Sequence, residues 1–303
     1  MRAFRFRIPF KNPILLKGQI YADRQGVLLE RNGQWSEASP LPGFSLETID
    51  DVVAGLLGKQ KPTASLLFAL SALDQPFTTP ISVPYNFLLL GEAEKVAEKA
   101  IECQLSKCKA VKIKVGQASL EADIEFVKKI RQALPEKTQL RLDANQAWNF
   151  KEAVFFIESL EGLDFQYIEE PLRNPLRMEE LYRLTGVNYA LDESLVEANC
   201  LDHWPHAAAL ICKPTLLGGR QAVVELATLG KPIVFSAAFE SGVGIMRIMQ
   251  LAAEFSPTIP AGLDTLAWLT NDLLSRSLQK KDGLIATPRQ IEVNKIDLEE
   301  IIL

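Results

Sequence analysis

Beyond residue 80 the chain settles into a rhythm. Short apolar runs alternate with longer stretches whose apolar residues recur every three or four positions. The runs cover 81–90, 110–115, 139–144, 165–168, 189–191, 208–212, 232–236 and 258–263. The amphipathic stretches cover 92–105, 120–134, 151–160, 178–184, 219–229 and 243–255. Short β-branched runs predict strands, and the wider spacing predicts helices. Such alternation implies parallel strands joined by right-handed crossovers. Eight strand candidates favour closure into a barrel over an open sheet. The segment after Asp192 is shorter and carries no clear helix.

The first part has another texture. Residues 2–10 and 26–31 read as strands, and 14–24 holds the turn signal Lys17-Gly18. Residues 39–44 form a loop rich in Pro and Gly, and a helix begins after Ser45, its expected N-cap. Residues 64–73 read as a second helix. The expected fold class is therefore α/β: a modified TIM barrel, (β/α)7β, with an α+β capping domain. The cap would span 1–85 and be completed by about 268–303, with the barrel over 86–267.

Composition narrows the function. With 48% hydrophobic and 23% charged residues the chain reads as an ordinary globular protein. Its net charge of −5 and lack of a basic cluster argue against nucleic acid as a partner. The start, Met-Arg-Ala-Phe-Arg-Phe-Arg, lacks the unbroken apolar run of a signal peptide, and no apolar stretch reaches the roughly 20 residues that span a bilayer, so no membrane association is expected. Cys103, Cys108, Cys200 and Cys212 show no Cys-x-x-Cys spacing. They are expected to be reduced thiols in a cytoplasmic protein.

The chemistry sits at the ends of the predicted strands. Lys112-x-Lys114, Asp143, Glu169-Glu170, Asp192-Glu193 and Lys213 each close one run, and steps of 29, 26, 23 and 21 residues lead from Lys114 through Asp143, Glu169 and Asp192 to Lys213. Each step is about one βα unit, so a barrel would point all of them into one mouth. Taken singly, each is a solvated strand end making local salt bridges; in register, they read as a site. Asp143, Glu169 and Asp192 supply hard oxygen donors without histidine, a set suited to Mg²⁺, with Mn²⁺ as an alternative ion. Lys114 and Lys213 fall on opposite sides of the acidic strands, so they can face opposite sides of a substrate. Burial, Mg²⁺ and the neighbouring Lys112 are expected to lower the pKa of a lysine base.

These motifs, with Asp143-Ala-Asn145-Gln146, Glu169-Glu170-Pro171, Asp192-Glu193-Ser194 and Lys213-Pro214, resemble the muconate-lactonizing-enzyme subgroup of the enolase superfamily. The resemblance implies a lysine base working beside Mg²⁺, a pairing general to that superfamily. Within that subgroup, Ser39-Pro-Leu-Pro-Gly-Phe-Ser-x-Glu47, Lys213-Pro-Thr-Leu-Leu-Gly-Gly219, Phe239-Glu-Ser-Gly-Val-Gly244 and Gly262-Leu-Asp-Thr265 resemble the o-succinylbenzoate synthase family. This closer resemblance implies dehydration of a small carboxylate, 2-succinyl-6-hydroxy-2,4-cyclohexadiene-1-carboxylate, in menaquinone or phylloquinone synthesis. It implies that Lys114 takes the α-proton and returns one to the departing hydroxyl. Lys213 would stabilise the enediolate from the other face.

Lys112 and Asn145 are further candidates for touching substrate. Ser236, Ser241 and Gly242 lie where the seventh strand meets a helix, whose N–H groups can hold a succinyl carboxylate. Glu170 and Glu193 adjoin metal ligands and are expected to orient Lys112 or Lys114. Tyr21, Arg24 and Phe44, on loops expected to close over the mouth, are candidates too. Asp264 stands without the second acid that dipeptide epimerases of the superfamily carry there. Cys200, His203 and His206 offer too few donors for structural zinc and read as a surface turn. Monomer and homo-oligomer are both compatible with the sequence. The alternatives are an N-succinylamino-acid racemase or dipeptide epimerase on the same scaffold, and a non-catalytic binding barrel.

Overall fold

The computed structural model describes residues 1–89, 98, 107–196, 200–295 and 298–303. Apart from residue 98, the helix expected over 92–105 lies outside the described residues, as do the last residue of the run 81–90 and Cys103.

An antiparallel meander opens the chain: β1 (Arg2–Leu16), β2 (Gln19–Arg31) and β3 (Gln34–Ala38). Its two tight turns, Lys17-Gly18 and Asn32-Gly33, have positive φ at both central residues, the twist that two-residue hairpins favour. Residues 14–24 are thus the arms of a hairpin rather than an open loop, because the turn occupies only Lys17 and Gly18. Helices α1 (Ile49–Leu56) and α2 (Ala64–Leu73) follow. Thr48, not Ser45, caps α1, in a reciprocal box with Asp51 that satisfies two end donors at once. Ser45 Oγ instead accepts from Leu41 N–H at 2.8 Å.

Seven parallel strands form the second sheet in sequence order: β5 (Asn86–Leu89), β6 (Ala110–Lys114), β7 (Gln139–Asp143), β8 (Tyr167–Glu169), β9 (Tyr189–Leu191), β10 (Ala209–Cys212) and β11 (Ile233–Phe235). The ring closes through two parallel bridges, Tyr85 to Ala261 and Ser236 to Gly262. The expected eighth strand, 258–263, is reduced to that bridged pair. Arg141, 1% exposed, ties the closing side from within by donating to Asn86 Oδ1 at 3.2 Å and Pro260 O at 2.7 Å. Helices α3 (Leu120–Ala133), α4 (Phe150–Ser159) and α5 (Met178–Thr185) cover the outside, which is why strands such as Tyr-Ala-Leu and Ala-Leu-Ile-Cys are buried throughout. The covering continues with α6 (Cys200–His203), α7 (Pro214–Leu217), α8 (Arg220–Ala227) and α9 (Gly242–Phe255).

The run 81–90 splits. β4 (Ser82–Pro84) pairs antiparallel with β13 (Leu284–Ala286), itself paired with β12 (Gln279–Lys281); only β5 joins the barrel. The tail ends in β14 (Glu299–Ile301), which pairs with β1. α2 meets the barrel at Gly219, where an added Cβ would lie 2.6 Å from the Phe68 backbone. Cys108 and Cys212 are buried thiols, as expected. Among the described residues no helix is long and apolar enough to cross a membrane.

Candidate active site

Register brings the strand-end residues together. Lys114 pairs with Asp143, Asp143 with Glu169, and Glu169 with Ala190, two residues before Asp192. Lys112 and Lys114, two positions apart, project from the same face of β6. Their Nζ atoms each lie 2.7 Å from Asp143 Oδ2. Lys112 also donates to both Glu169 oxygens, at 2.8 and 2.9 Å. Lys213, at the tip of β10, pairs with Asp192. The acidic tips of β7, β8 and the β9 loop thus lie between Lys114 and Lys213, as expected.

Asn145 bonds Lys114 through Oδ1 and donates to Glu193 Oε1 at 3.0 Å, so Glu193 reaches Lys114 through an amide. Glu170 behaves differently from the expectation that it orients a lysine. It accepts from Asp192 N–H at 2.9 Å, Ser194 N–H at 2.8 Å, Ser194 Oγ at 2.9 Å and Gln146 Nε2 at 3.0 Å. The chain turns at Glu170, φ 43°, and carries its side chain away from the lysines into the loop that presents Asp192. Gln146 and Ser194 are legible in the sequence only as neighbours in motifs; their shared partner comes from the fold.

Burial and charge compete here. Burial disfavours the Lys112 and Lys213 ammoniums, but the acids beside them win: Asp143 and Glu169 for Lys112, Asp192 and Glu193 for Lys213. Both lysines stand above their ordinary value. For Lys213 the carboxylates outweigh burial and the neighbouring Lys112 charge. Asp143 is pulled up by burial, yet Lys112 and Lys114 hold it below the usual carboxylate range. Burial pushes Glu170 up to about 7, and Glu193 is raised by burial and by Asp192.

Does this set fit a divalent cation? The donors are all carboxylate oxygens on adjacent tips, the chemistry of a hard ion. Asp143, Glu169 and Asp192 meet at these tips with Lys112, Lys114 and Lys213, and Glu193 Oε2 is buried without a hydrogen-bond partner among the described residues. An orphaned buried carboxylate oxygen beside three converging acids is a donor set that an added cation would satisfy. Among the described residues no three acidic, His or Cys side chains already stand as a ready cage. The Lys112 ammonium fills the gap between Asp143 and Glu169, so a cation would have to displace it.

Ser236, 8% exposed, sits where β11 ends. Ser241 and Gly242 do not offer free donors, which corrects their reading as a carboxylate cradle. Ser241 N–H meets the Glu37 carboxylate at 3.1 Å, its hydroxyl bonds the same group, and Gly242 N–H meets Asp272 Oδ1 at 2.7 Å. The start of α9 is already capped by two acids from sequence-distant segments. Of the hairpin and loop candidates, Phe44 reaches the site, its ring 5.8 Å from Lys213 Nζ and 5.0 Å from Lys17 Nζ. Tyr21 bonds Gln19 on its own hairpin, and Arg24 is buried against backbone carbonyls. Asp264 pairs with Lys280 of the tail. His206 pairs with Glu179 at 2.7 Å and stacks on Tyr182, a packing role.

A family model described as "Enolase C-terminal domain-like" matches residues 92–291, and one described as "MenC, N-terminal domain" matches 1–64. The o-succinylbenzoate synthase of Yersinia pseudotuberculosis is 31% identical over 288 residues, covering 87% of this chain and 89% of that protein. The chain belongs to the o-succinylbenzoate synthase family. Its homologue from Haemophilus influenzae is 29% identical, covering 89% of this chain and 93% of that one. The solved o-succinylbenzoate synthase of Thermosynechococcus elongatus, complexed with Mg in the active site, has a TM-score of 0.74 at 23% identity, covering 90% of this chain and 95% of that one. Membership makes the chain an enzyme, a lyase of the o-succinylbenzoate synthase type, and the barrel with its row of strand-end acids is the enolase-superfamily fold.

Proposed function

We propose that the enzyme dehydrates 2-succinyl-6-hydroxy-2,4-cyclohexadiene-1-carboxylate to o-succinylbenzoate, a step toward menaquinone or phylloquinone. The observation that carries this reading is the placement of Lys114 and Lys213 on either side of Asp143, Glu169 and Asp192. In this reading, residues 1–85 and 268–303 form a cap over a barrel of 86–267, and the pairing of β14 with β1 supports that division.

Asp143, Glu169 and Asp192 would hold Mg²⁺, which when bound supplies Lewis-acid stabilisation to negative charge on the substrate carboxylate. Lys114, as the neutral amine, takes the proton α to that carboxylate. The resulting ammonium then protonates the departing hydroxyl, so water leaves and Lys114 returns to its starting state. The Lys213 ammonium stays charged on the opposite face and steadies the anionic intermediate; its raised pKa suits that part. Asn145 orients Lys114. The pairing of Asp264 with Lys280 weighs against the dipeptide-epimerase alternative, since that acid is already engaged.

The test is direct. Purified enzyme with Mg²⁺ should form o-succinylbenzoate, and Lys114→Ala should lower kcat by about 10²-fold or more. A Lys114→Ala enzyme at full rate, or activity untouched by thorough chelation, defeats the reading.

A further inference from the structure

Behind Lys213 lies a buried cluster that the chemistry above does not use. Glu240, on the loop between β11 and α9, is 0% exposed. Its Oε1 accepts from the Thr215 hydroxyl at 2.6 Å, and its Oε2 accepts from Ala238 N–H at 2.5 Å. Thr215, also 0% exposed, lies in the first turn of α7, for which Lys213 is the N-cap. The Lys213 carbonyl accepts from Leu216 N–H at 2.9 Å in the same turn. The backbone of Lys213 is therefore tied to a turn in which Leu217 packs against the core and the Thr215 hydroxyl supplies a side-chain hydrogen bond, to Glu240.

The Glu240 loop is in turn held from the N-terminal sheet. Phe239 adopts a left-handed φ of 62°, costly for a residue with a side chain. Arg24 on β2, 1% exposed, donates to the Phe239 carbonyl at 3.2 Å and to the carbonyls of Gln25, Ser39 and Pro40. Glu37 on β3 receives the N–H groups of Ser241 and Gly244, each at 3.1 Å. Two fully buried acids flank one buried guanidinium, and every one of them bonds the loop or its immediate support.

We propose that Glu240 is a positioning residue for Lys213, acting through Thr215, with Arg24 and Glu37 locking its loop from the N-terminal sheet. A buried carboxylate is expensive to desolvate unless it is hydrogen-bonded, as both oxygens of Glu240 are. What the charged acceptor adds is a short, strong bond with a fixed direction. That bond acts on the one turn in which a small displacement moves an amine of the site. Misplacement of about 1 Å is enough to cost on the order of 10²-fold in rate.

The inference rests on the place of Lys213 in the proposed reaction, and the experiment separates the two. Thr215→Val keeps the shape and removes the hydroxyl; Thr215→Ser keeps the hydroxyl. For Thr215→Val, kcat should fall about tenfold while KM stays within about twofold, and Thr215→Ser should restore the rate. The Thr215→Val/Lys213→Ala double variant should be no slower than Lys213→Ala alone. A crystal structure of Thr215→Val should show Lys213 Nζ withdrawn from Asp192, whatever the reaction. Should Thr215→Val not fold, Glu240→Gln, which keeps an acceptor and loses the charge, should show the same split in smaller measure. A Thr215→Val enzyme with wild-type kcat beside an inactive Lys213→Ala overturns the positioning role. Full activity in Lys213→Ala overturns instead the part given to Lys213 in the reaction.

Discussion

Glu169 and Glu170 are adjacent in sequence, both buried, and turned to different tasks. Glu169 holds the Lys112 ammonium among the strand tips, whereas Glu170 accepts four hydrogen bonds, three of them from Asp192 and Ser194. The positive φ at Glu170 is what parts them. One acid belongs to the proposed cation site; its neighbour braces the loop that carries Asp192.

Removing that brace should be felt as lost metal affinity. Glu170→Ala leaves the buried Asp192 and Ser194 N–H groups without an acceptor, a cost of about 1–3 kcal/mol each. Mg²⁺ binding should weaken by about 10–100-fold, since partners that orient ligands have effects of that size. Calorimetric titration checks it. Unchanged affinity in a folded Glu170→Ala protein would show that the Asp192 loop holds itself.

Lys112 should exchange roles with the cation. Its ammonium neutralises Asp143 and Glu169, and loss of one partner from a buried ion pair costs about 3–5 kcal/mol. Lys112→Ala should therefore melt well below wild type in chelator. Excess Mg²⁺ should raise the Tm of the variant more than that of wild type, because no ammonium must be displaced. Equal Mg²⁺ shifts in the two proteins would count against shared occupancy.

Glu37 should leave a signature in the dependence of stability on pH. Burial pushes its carboxyl up, aided by the nearby Glu240 charge, and the bonds from Ser241 and Ser39 and the charge of Arg24 only partly offset this. The folded chain thus keeps a proton that the unfolded chain releases near pH ~4.3. The unfolded state binds fewer protons above that point, so unfolding free energy falls as pH rises through the raised native value. Glu37→Gln should flatten this decline. Urea denaturation at a series of pH values measures it, and an identical slope in the variant would refute the assignment.

The rhythm of strand-end charges is legible in the sequence because the runs ending at Lys114, Asp143, Glu169, Asp192 and Lys213 are each apolar stretches closed by a charge. Asp143, Glu169, Asp192, Lys114 and Lys213 need no knowledge of distant contacts. Ser241 and Gly242 do. Their donors resemble an open anion site until Glu37 and Asp272 arrive from segments remote in sequence. The same holds for Thr215 and Glu240, whose pairing crosses two barrel loops. The cap at Thr48 is within reach, since Thr48-x-x-Asp51 carries the box pattern, but a nearer-looking serine competes with it. The eighth strand is shorter than its run because apolar spacing cannot say how much of a run finds a partner.

α9 has its own N-cap acceptor, Ser241 Oγ taking Val243 N–H, and adds to it a carboxylate from a strand some 200 residues earlier in the chain, the separation between Glu37 and Ser241 being 204. Cutting the molecule between its front sheet and its ring would bare those amides on one piece and strand an acid on the other. Grafting the front of one relative onto the ring of another should succeed only where this donor and acceptor travel as a pair.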